Sequence, residues 1–157
     1  MTQPFLYSVE REFSAPVSAL WDAWTEKSKL ESWYHPLSMG SVRGATVSDA
    51  KVGGTWAVAV DVAAHNFVAY FYGTYLALVP NSRIEHTMHY TESAPEFEIK
   101  DLTTSSHLVV IEFEDRAAKT WVKFSQFGEL PEGEAAQAQA GMESYFDSLE
   151  NYLPDQK

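Results

Sequence analysis

The end of the chain constrains the fold most, because it has the pattern of one long amphipathic helix. Between Pro131 and Leu153, apolar residues recur on one face at about 100° per residue, namely Ala135, Ala138, Met142, Tyr145, Phe146, Leu149 and Leu153. Polar residues occupy the opposite face, namely Glu143, Ser144, Asp147 and Asn151. Pro131 suits a first helical position and Pro154 ends the run. Such a helix is stable only when its apolar face lies against another element.

Most of the preceding chain has the two-residue period of β-strands. We predict seven strands, at Phe5–Phe13, Ser41–Asp49, Thr55–Ala63, Phe67–Val79, Arg83–Thr91, His107–Asp115 and Thr120–Phe127. The later strands follow one another through short turns, which is typical of antiparallel pairing. A segment containing Ala94 and Pro95 is expected to be irregular. The strands therefore predict one antiparallel sheet.

Two short helices are predicted after the first strand. The first begins at Pro16, and the second places Leu30 and Trp33 on one face and ends before Pro36. Ser28 and Glu31 have the spacing of a capping box at the start of the second helix. Because helices flank the strands, the predicted class is α+β: a curved sheet of about seven strands wrapped around the C-terminal helix. No repeat or linker divides residues 1–157, so we expect a single domain.

Composition excludes several functional classes. The 157 residues are 45% hydrophobic and 14% aromatic, which excludes a disordered chain, and apolar runs are too short to span a bilayer. A formal charge of −11 makes nucleic acid and anionic membranes poor partners. There is no cysteine, hence no disulfide and no thiolate ligand. No secretory signal precedes the first strand, so a cytoplasmic location is expected.

The order of several short motifs resembles a known family. The matching segments span nearly the whole chain, namely Glu10-Arg11, Phe13, Ala15-Pro16, Leu20 to Thr25, Leu30, Trp33, Pro36, Gly53 to Trp56, Gly73 to Pro80, Ile84, Thr87, Phe113-Glu114, Thr120, Val122, Phe124 and Gly141. They resemble the domain related to the activator of Hsp90 ATPase, within the START-like, Bet v 1-like superfamily. This resemblance implies a helix-grip fold with a cavity between sheet and helix. Many members of the family that this chain resembles have a Gly-Trp pair where this chain has Gly141-Met142. The resemblance therefore implies no particular ligand.

Motif searches indicate no familiar catalytic centre. HExxH, GxSxG, Walker and GxGxxG patterns are all missing from the sequence. His86 and His89 are three apart on one predicted strand, so their side chains should lie on opposite faces and cannot share a metal ion. We therefore predict neither a metal site nor a cofactor.

Strand alternation instead predicts an apolar ligand pocket facing the last helix. Its predicted lining contains a few polar groups that could orient a guest, namely Trp33, Trp56, Val58, Tyr70, Tyr72, His86, Met88, Gln126, Met142 and Phe146. For each of these residues, the alternative to a ligand contact is a purely structural role in the core. The register of Phe67–Val79 also stays open, because Phe71 and Tyr75 could face inward instead of Tyr70 and Tyr72.

Three functions are consistent with these patterns. The leading hypothesis is the binding of a small hydrophobic or aromatic molecule in the cavity. The first alternative is an enzyme of the polyketide cyclase or hydrolase type, with His86 or an inward tyrosine as acid or base. The second is a chaperone-linked role, suggested by the family resemblance alone. If Phe71 and Tyr75 faced outward beside Ala57 and Ala59, the apolar stripe would also favour a homodimer.

Two further residues have alternative interpretations. Arg11 falls on the apolar side of the first strand, where a rim position or a pair with a nearby acid is favoured over a ligand contact. Gly141 lies within the last helix, where glycine costs about 1 kcal/mol relative to alanine. It indicates close backbone approach, tight packing or space kept for a guest.

Overall fold

The computed structural model describes residues 3–153 of the chain, with eight strands and four α-helices in that range. In chain order they are β1 (Phe5–Phe13), α1 (Val17–Thr25), α2 (Lys27–Trp33), β2 (Gly40–Ser41), β3 (Val47–Ser48), β4 (Thr55–Val62), β5 (Phe67–Val79), β6 (Arg83–Thr91), α3 (Ala94–Ile99), β7 (His107–Arg116), β8 (Lys119–Phe127) and α4 (Glu134–Tyr152). A single 3₁₀ turn, Ala63–His65, joins β4 to β5.

The strands form one curled antiparallel sheet. Its order is β1-β8-β7-β6-β5-β4-β2, and β3 also pairs with β4. The chain thus runs through consecutive hairpins from β4 to β8, and β8 then pairs with β1. Helix α4 packs against the inner face of this sheet. The predicted α+β architecture, with two short helices after the first strand, is confirmed.

The interior between sheet and helix is densely filled with aromatic side chains. Phe146 of α4 is fully buried, and its ring lies 5.6 Å from that of Phe13 and 6.4 Å from that of Trp24. Leu149, one turn further along α4, is also fully buried. The apolar face of the C-terminal helix therefore supplies the core, as its periodicity predicts.

Helix α4 begins three residues later than predicted. Gly133 is its N-cap residue with φ of +88°, a left-handed conformation that glycine adopts without strain. Pro131 therefore precedes the helix, and Pro154 lies outside the described residues. At the middle of the helix, Arg11 of β1 forms ion pairs with Glu143 and Asp147, so its predicted pairing with nearby acids is confirmed.

The segment predicted as a strand from Ser41 to Asp49 is only partly extended. It contains the second residue of the two-residue strand β2 and the whole of the two-residue strand β3, and Gly44 in the loop between them has φ of +84°. The side chain of Glu31 accepts a hydrogen bond from the Gly44 amide at 2.8 Å. Helix α2 begins at Lys27 without a side-chain cap, so the predicted capping box at Ser28 is wrong.

Helix α3 replaces the irregular segment that the sequence suggests around Ala94 and Pro95. The Ser93 side chain accepts a hydrogen bond from the Glu96 amide, and Pro95 occupies the first turn, where it needs no amide partner. Phe97 of this helix packs on the outer face of the sheet against Tyr70 and Tyr72. The outer face of β5 is therefore covered by α3.

This packing corrects the predicted inward placement of Tyr70 and Tyr72. Phe71 and Tyr75 face the main core, which is the alternative register. A β-bulge between Tyr75 and Ala77 then returns Leu78 to the inner face. The exposed stripe behind the homodimer hypothesis is thus not present where predicted, and Ala57 and Ala59 are almost fully buried.

Candidate functional site

An open groove lies between the inner face of the sheet and the first turns of α4. Its volume is about 680 Å³. Strands β5 to β8 supply one wall, and the loop before α4 with the first turns of that helix supplies the other. The lining residues are Phe71, Met88, Tyr90, Glu92, Ser105, His107, Gln126, Leu130, Glu134, Gln137 and Ala138.

The sheet wall of the groove is apolar near β5 and β6. The rings of Phe71 and Tyr90 lie 5.2 Å apart across the two strands, and Met88 lies next to them along β6. Tyr90 is 51% exposed, so the aromatic pair is accessible at the mouth of the groove. Leu130 and Ala138 add apolar surface from the opposite wall. An apolar body is therefore the part of a guest that this wall can contact.

A chain of hydrogen bonds fixes the polar end of the groove. The Tyr7 hydroxyl donates to Oε1 of Gln126 at 2.6 Å, and Nε2 of Gln126 donates to Nδ1 of His107 at 2.7 Å. Nε2 of His107 then donates to the carbonyl of Glu129 at 3.2 Å. Burial raises the pKa of Tyr7, so its phenol stays a neutral donor. The chain links β1, β8 and β7 to the loop that carries Leu130.

Gly128 leaves space for the imidazole ring of His107 in this series of hydrogen bonds. A Cβ atom at this position would lie 2.4 Å from the His107 ring, closer than side-chain atoms can approach. Any other residue would push the imidazole away from Gln126 and Glu129. The glycine therefore belongs to the site even though it contributes no side chain.

Two carboxylates lie along the groove, at opposite walls. Glu92 follows β6, and its Oε2 accepts a hydrogen bond from the Tyr90 hydroxyl at 2.5 Å. Burial and this carboxylate raise the pKa of Tyr90, so the phenol keeps its proton. Glu134 is the first residue of α4. The groove therefore has an anionic border around an apolar and aromatic wall.

His86 and Trp56 do not line the groove. Nδ1 of His86 and Nε1 of Trp56 both donate to the carbonyl of Thr87, at 2.9 and 2.8 Å. The two side chains border an internal void of about 10 Å³, which has room for about one water molecule. Burial lowers the pKa of His86 to about 4, so the ring is neutral at pH 7. No substrate could reach it there.

The other predicted pocket residues divide between the groove, the core and the outer face. Met88 and Gln126 line the groove. Tyr70 and Tyr72 lie on the outer face. The remaining four are buried in the main core, namely Trp33, Val58, Met142 and Phe146.

The predicted pocket lacks several residues of the groove, and some of these had a signal in the sequence, namely Phe71, Tyr90, His107 and Ala138. His107 is the first residue of β7 and Gln126 the last but one of β8, and the register of this hairpin pairs Val109 with Gln126. A hairpin brings the start of its first strand beside the end of its second, and this signal could have placed His107 near Gln126. Glu92, Leu130 and Glu134 lie in loops or at a helix start, where no periodicity indicates direction.

Within residues 3–153, no three His, Asp or Glu side chains are grouped so that they could hold a metal ion. In the same range, no helix has both the length and the apolar character needed to cross a membrane. His86 and His89 contact rings on opposite faces of the sheet, Trp56 and Tyr72 respectively, as predicted.

Several solved structures have the same fold as this chain. The structure is similar to a protein from Chromobacterium violaceum, with a TM-score of 0.77, 20% identity, and coverage of 94% of this chain and 96% of that one. The AHSA1 protein from Silicibacter pomeroyi gives a TM-score of 0.77 at 16% identity, covering 96% and 99%. A protein from the dynemicin biosynthetic locus gives 0.70 at 18% identity, covering 96% of this chain and 47% of that one.

These structural likenesses show the fold. No curated protein sequence matches the chain. The family model described as "Activator of Hsp90 ATPase homolog 1-like protein" matches residues 14–154. That match extends from the end of β1 through α4, so it includes both walls of the groove. The chain therefore belongs to the activator of Hsp90 ATPase homolog 1-like protein family.

Proposed function

We propose that the protein binds one small hydrophobic or aromatic molecule in the groove between the sheet and the start of α4. The observation that carries the proposal is the groove itself: an open space of about 680 Å³ with Phe71, Met88 and Leu130 on its walls. Ligand sites of this size combine mostly apolar walls with a few placed polar groups. Folds of this family's type commonly bind hydrophobic ligands, which supports the same function.

The series of hydrogen bonds from Tyr7 through Gln126 and His107 supports a binding role for the groove. Gln126 is 5% exposed, and its amide is held on both sides by Tyr7 and His107. A guest would therefore meet polar groups whose positions are already fixed. Pre-organised groups improve affinity because less conformational entropy is lost on binding.

We do not extend the proposal to catalysis by His86. The enzyme hypothesis named this histidine as a base, and a structural neighbour comes from a biosynthetic locus. His86, however, borders a void of about 10 Å³ and is 4% exposed, so it cannot contact a groove-bound molecule. A chaperone-linked role is supported by the family description alone, and a pull-down against Hsp90 tests it.

The binding proposal can be tested with N-phenylnaphthylamine, a neutral probe whose fluorescence rises in apolar surroundings. We expect saturable fluorescence enhancement with the wild-type protein and a higher melting temperature, because a ligand that binds only the folded state stabilises it. Ala138→Trp places an indole in the groove and should abolish the enhancement. Ala136→Trp adds the same indole at an exposed position of α4 and should leave it unchanged. Equal enhancement in both variants would contradict the proposal.

A further inference from the structure

We propose that the groove selects a hydrophobic amine, an apolar body carrying one ammonium group, over neutral and anionic molecules of the same shape. This inference rests on the proposed function and adds the chemical class of the guest. It follows from the charges around the groove and from the aromatic pair at its mouth.

The charges on the groove walls are negative. Glu92 and Glu134 both line it, and among the described residues its lining includes neither Lys nor Arg. An anionic guest would therefore be repelled from both walls. The whole chain has a formal charge of −11, which adds a longer-range attraction for cations.

Glu92 and the aromatic pair together suit an ammonium group. The Tyr90 hydroxyl donates to Oε2 of Glu92 at 2.5 Å, so the carboxylate is held at the hydroxyl end of this side chain. Phe71 lies 5.2 Å from the Tyr90 ring and is continuous with the apolar wall. A cation placed here would meet a carboxylate and aromatic faces at once, while its apolar body contacts Phe71 and Met88. Both contacts favour a cation.

The other polar groups of the groove do not reverse this preference. The start of α4 carries roughly half a positive charge from the helix dipole, and Glu134 in its first turn offsets that charge. His107 accepts from Gln126 through Nδ1 and donates to Glu129 through Nε2, which is the pattern of a neutral imidazole. Ser105, Gln126 and Gln137 are uncharged. The net charge at the groove therefore stays negative.

The experiment compares three probes that share one aromatic body: naphthylmethylamine, naphthylmethanol and naphthoate. Dissociation constants are measured by calorimetry at pH 7 and low salt. We expect the amine to bind roughly five- to tenfold more tightly than the alcohol, and naphthoate to bind most weakly. Added salt should weaken binding of the amine while leaving the alcohol unchanged.

Two variants test whether Glu92 causes the preference for the amine. Glu92→Gln should remove most, but not all, of the amine's advantage over the alcohol, because Glu134 and the aromatic pair still favour a cation. Glu132→Gln removes the same charge from an exposed residue outside the groove and should preserve the preference.

Two results separate the inference from the proposed function. If the alcohol binds and the amine shows no advantage, or if naphthoate binds best, the inference is overturned while hydrophobic binding stands. If the amine still binds to Ala138→Trp, it binds outside the groove, and the inference is also overturned. If none of the three probes binds, both proposals fail.

Discussion

Gly73 and Gly141 differ in how much space surrounds them. A Cβ atom on Gly73 would lie 2.0 Å from the carbonyl oxygen of Thr87, the same atom that accepts hydrogen bonds from Trp56 and His86. A Cβ atom on Gly141 would meet no described atom within 4 Å. The first glycine therefore permits a close approach of β5 to β6. The second lies in open space, so neither close approach nor tight packing explains it.

We expect Gly141→Ala to stabilise the protein by up to about 1 kcal/mol, because alanine favours the helix and its methyl group meets no obstacle. Gly73→Ala is the matched contrast and should destabilise by about 2 kcal/mol or more, since the Thr87 carbonyl must move. Both free energies of unfolding can be measured by urea denaturation. A destabilised Gly141→Ala variant would show that this position is more crowded than the structure indicates.

Individual residues of β5 show how much of a strand's orientation can be predicted from the alternation of its side chains. It correctly grouped Tyr70 with Tyr72 and Phe71 with Tyr75, but it could not decide which pair faces the core. That decision depends on α3, whose Phe97 covers the outer tyrosines. The pairing of Arg11 with acids was predictable because an isolated charge on an apolar face needs a partner.

At the scale of elements, long periodic segments were predicted well and short ones poorly. The bounds of β5, β6 and β8 agree with prediction to within about one residue, because each strand has a sustained alternation. Helix α3 has six residues, too few for a helical period to be visible beside Pro95. The segment between Ser41 and Asp49 was misjudged because its short strands are held by pairing with β4.

Arg11 adds ion pairs to the apolar contacts between β1 and helix α4. Arg11 is 22% exposed in its side chain, and its partners Glu143 and Asp147 are 49% and 47% exposed. We expect Arg11→Met to lower the free energy of unfolding by about 1 kcal/mol, because the methionine keeps the apolar stem but loses the ion pairs. The loss should shrink near 1 M salt, which screens the pairs. Urea denaturation at low and high salt measures both effects.

Arg116→Met is the control for that measurement. Its side chain is 43% exposed and pairs with Glu12 and Glu114 away from α4. A more exposed pair contributes less, so this variant should lose only a few tenths of a kcal/mol. Equal losses from both variants would mean that Arg11 gives α4 no special attachment.

At the scale of the whole molecule, the position of the open space could not be read from the sequence. The family resemblance implied a cavity between sheet and helix, and the periodicity suggested that it lies beneath Met142 and Phe146. Those side chains instead pack into the core, and the groove opens where α4 begins, near Glu134 and Ala138. The position of the open space depends on the way in which bulky aromatic side chains, such as Trp24, fill the interior of the curled sheet. This packing has no sequence period.

Burial of a neutral histidine also makes the stability of the whole molecule depend on pH. The pKa of His86 falls from 6.5 to about 4 on folding, because burial disfavours the charged ring. The unfolded chain therefore binds more protons between these values, and stability is full above pH 6.5 and falls as the pH drops towards 4. At about 1.4 kcal/mol per pH unit, the loss reaches about 3 kcal/mol.

His86→Asn removes this titration while offering an amide in place of Nδ1–H to the Thr87 carbonyl. We expect the variant to be less stable than wild type at pH 7, with a flatter profile of unfolding free energy between pH 6.5 and 4. His65→Asn is the control, because it makes the same substitution at an exposed histidine and removes no buried ring. Urea denaturation across this pH range measures all three proteins. A wild-type profile as flat as that of His86→Asn would show that His86 is solvated, and the dense core described around Trp56 would then be incorrect.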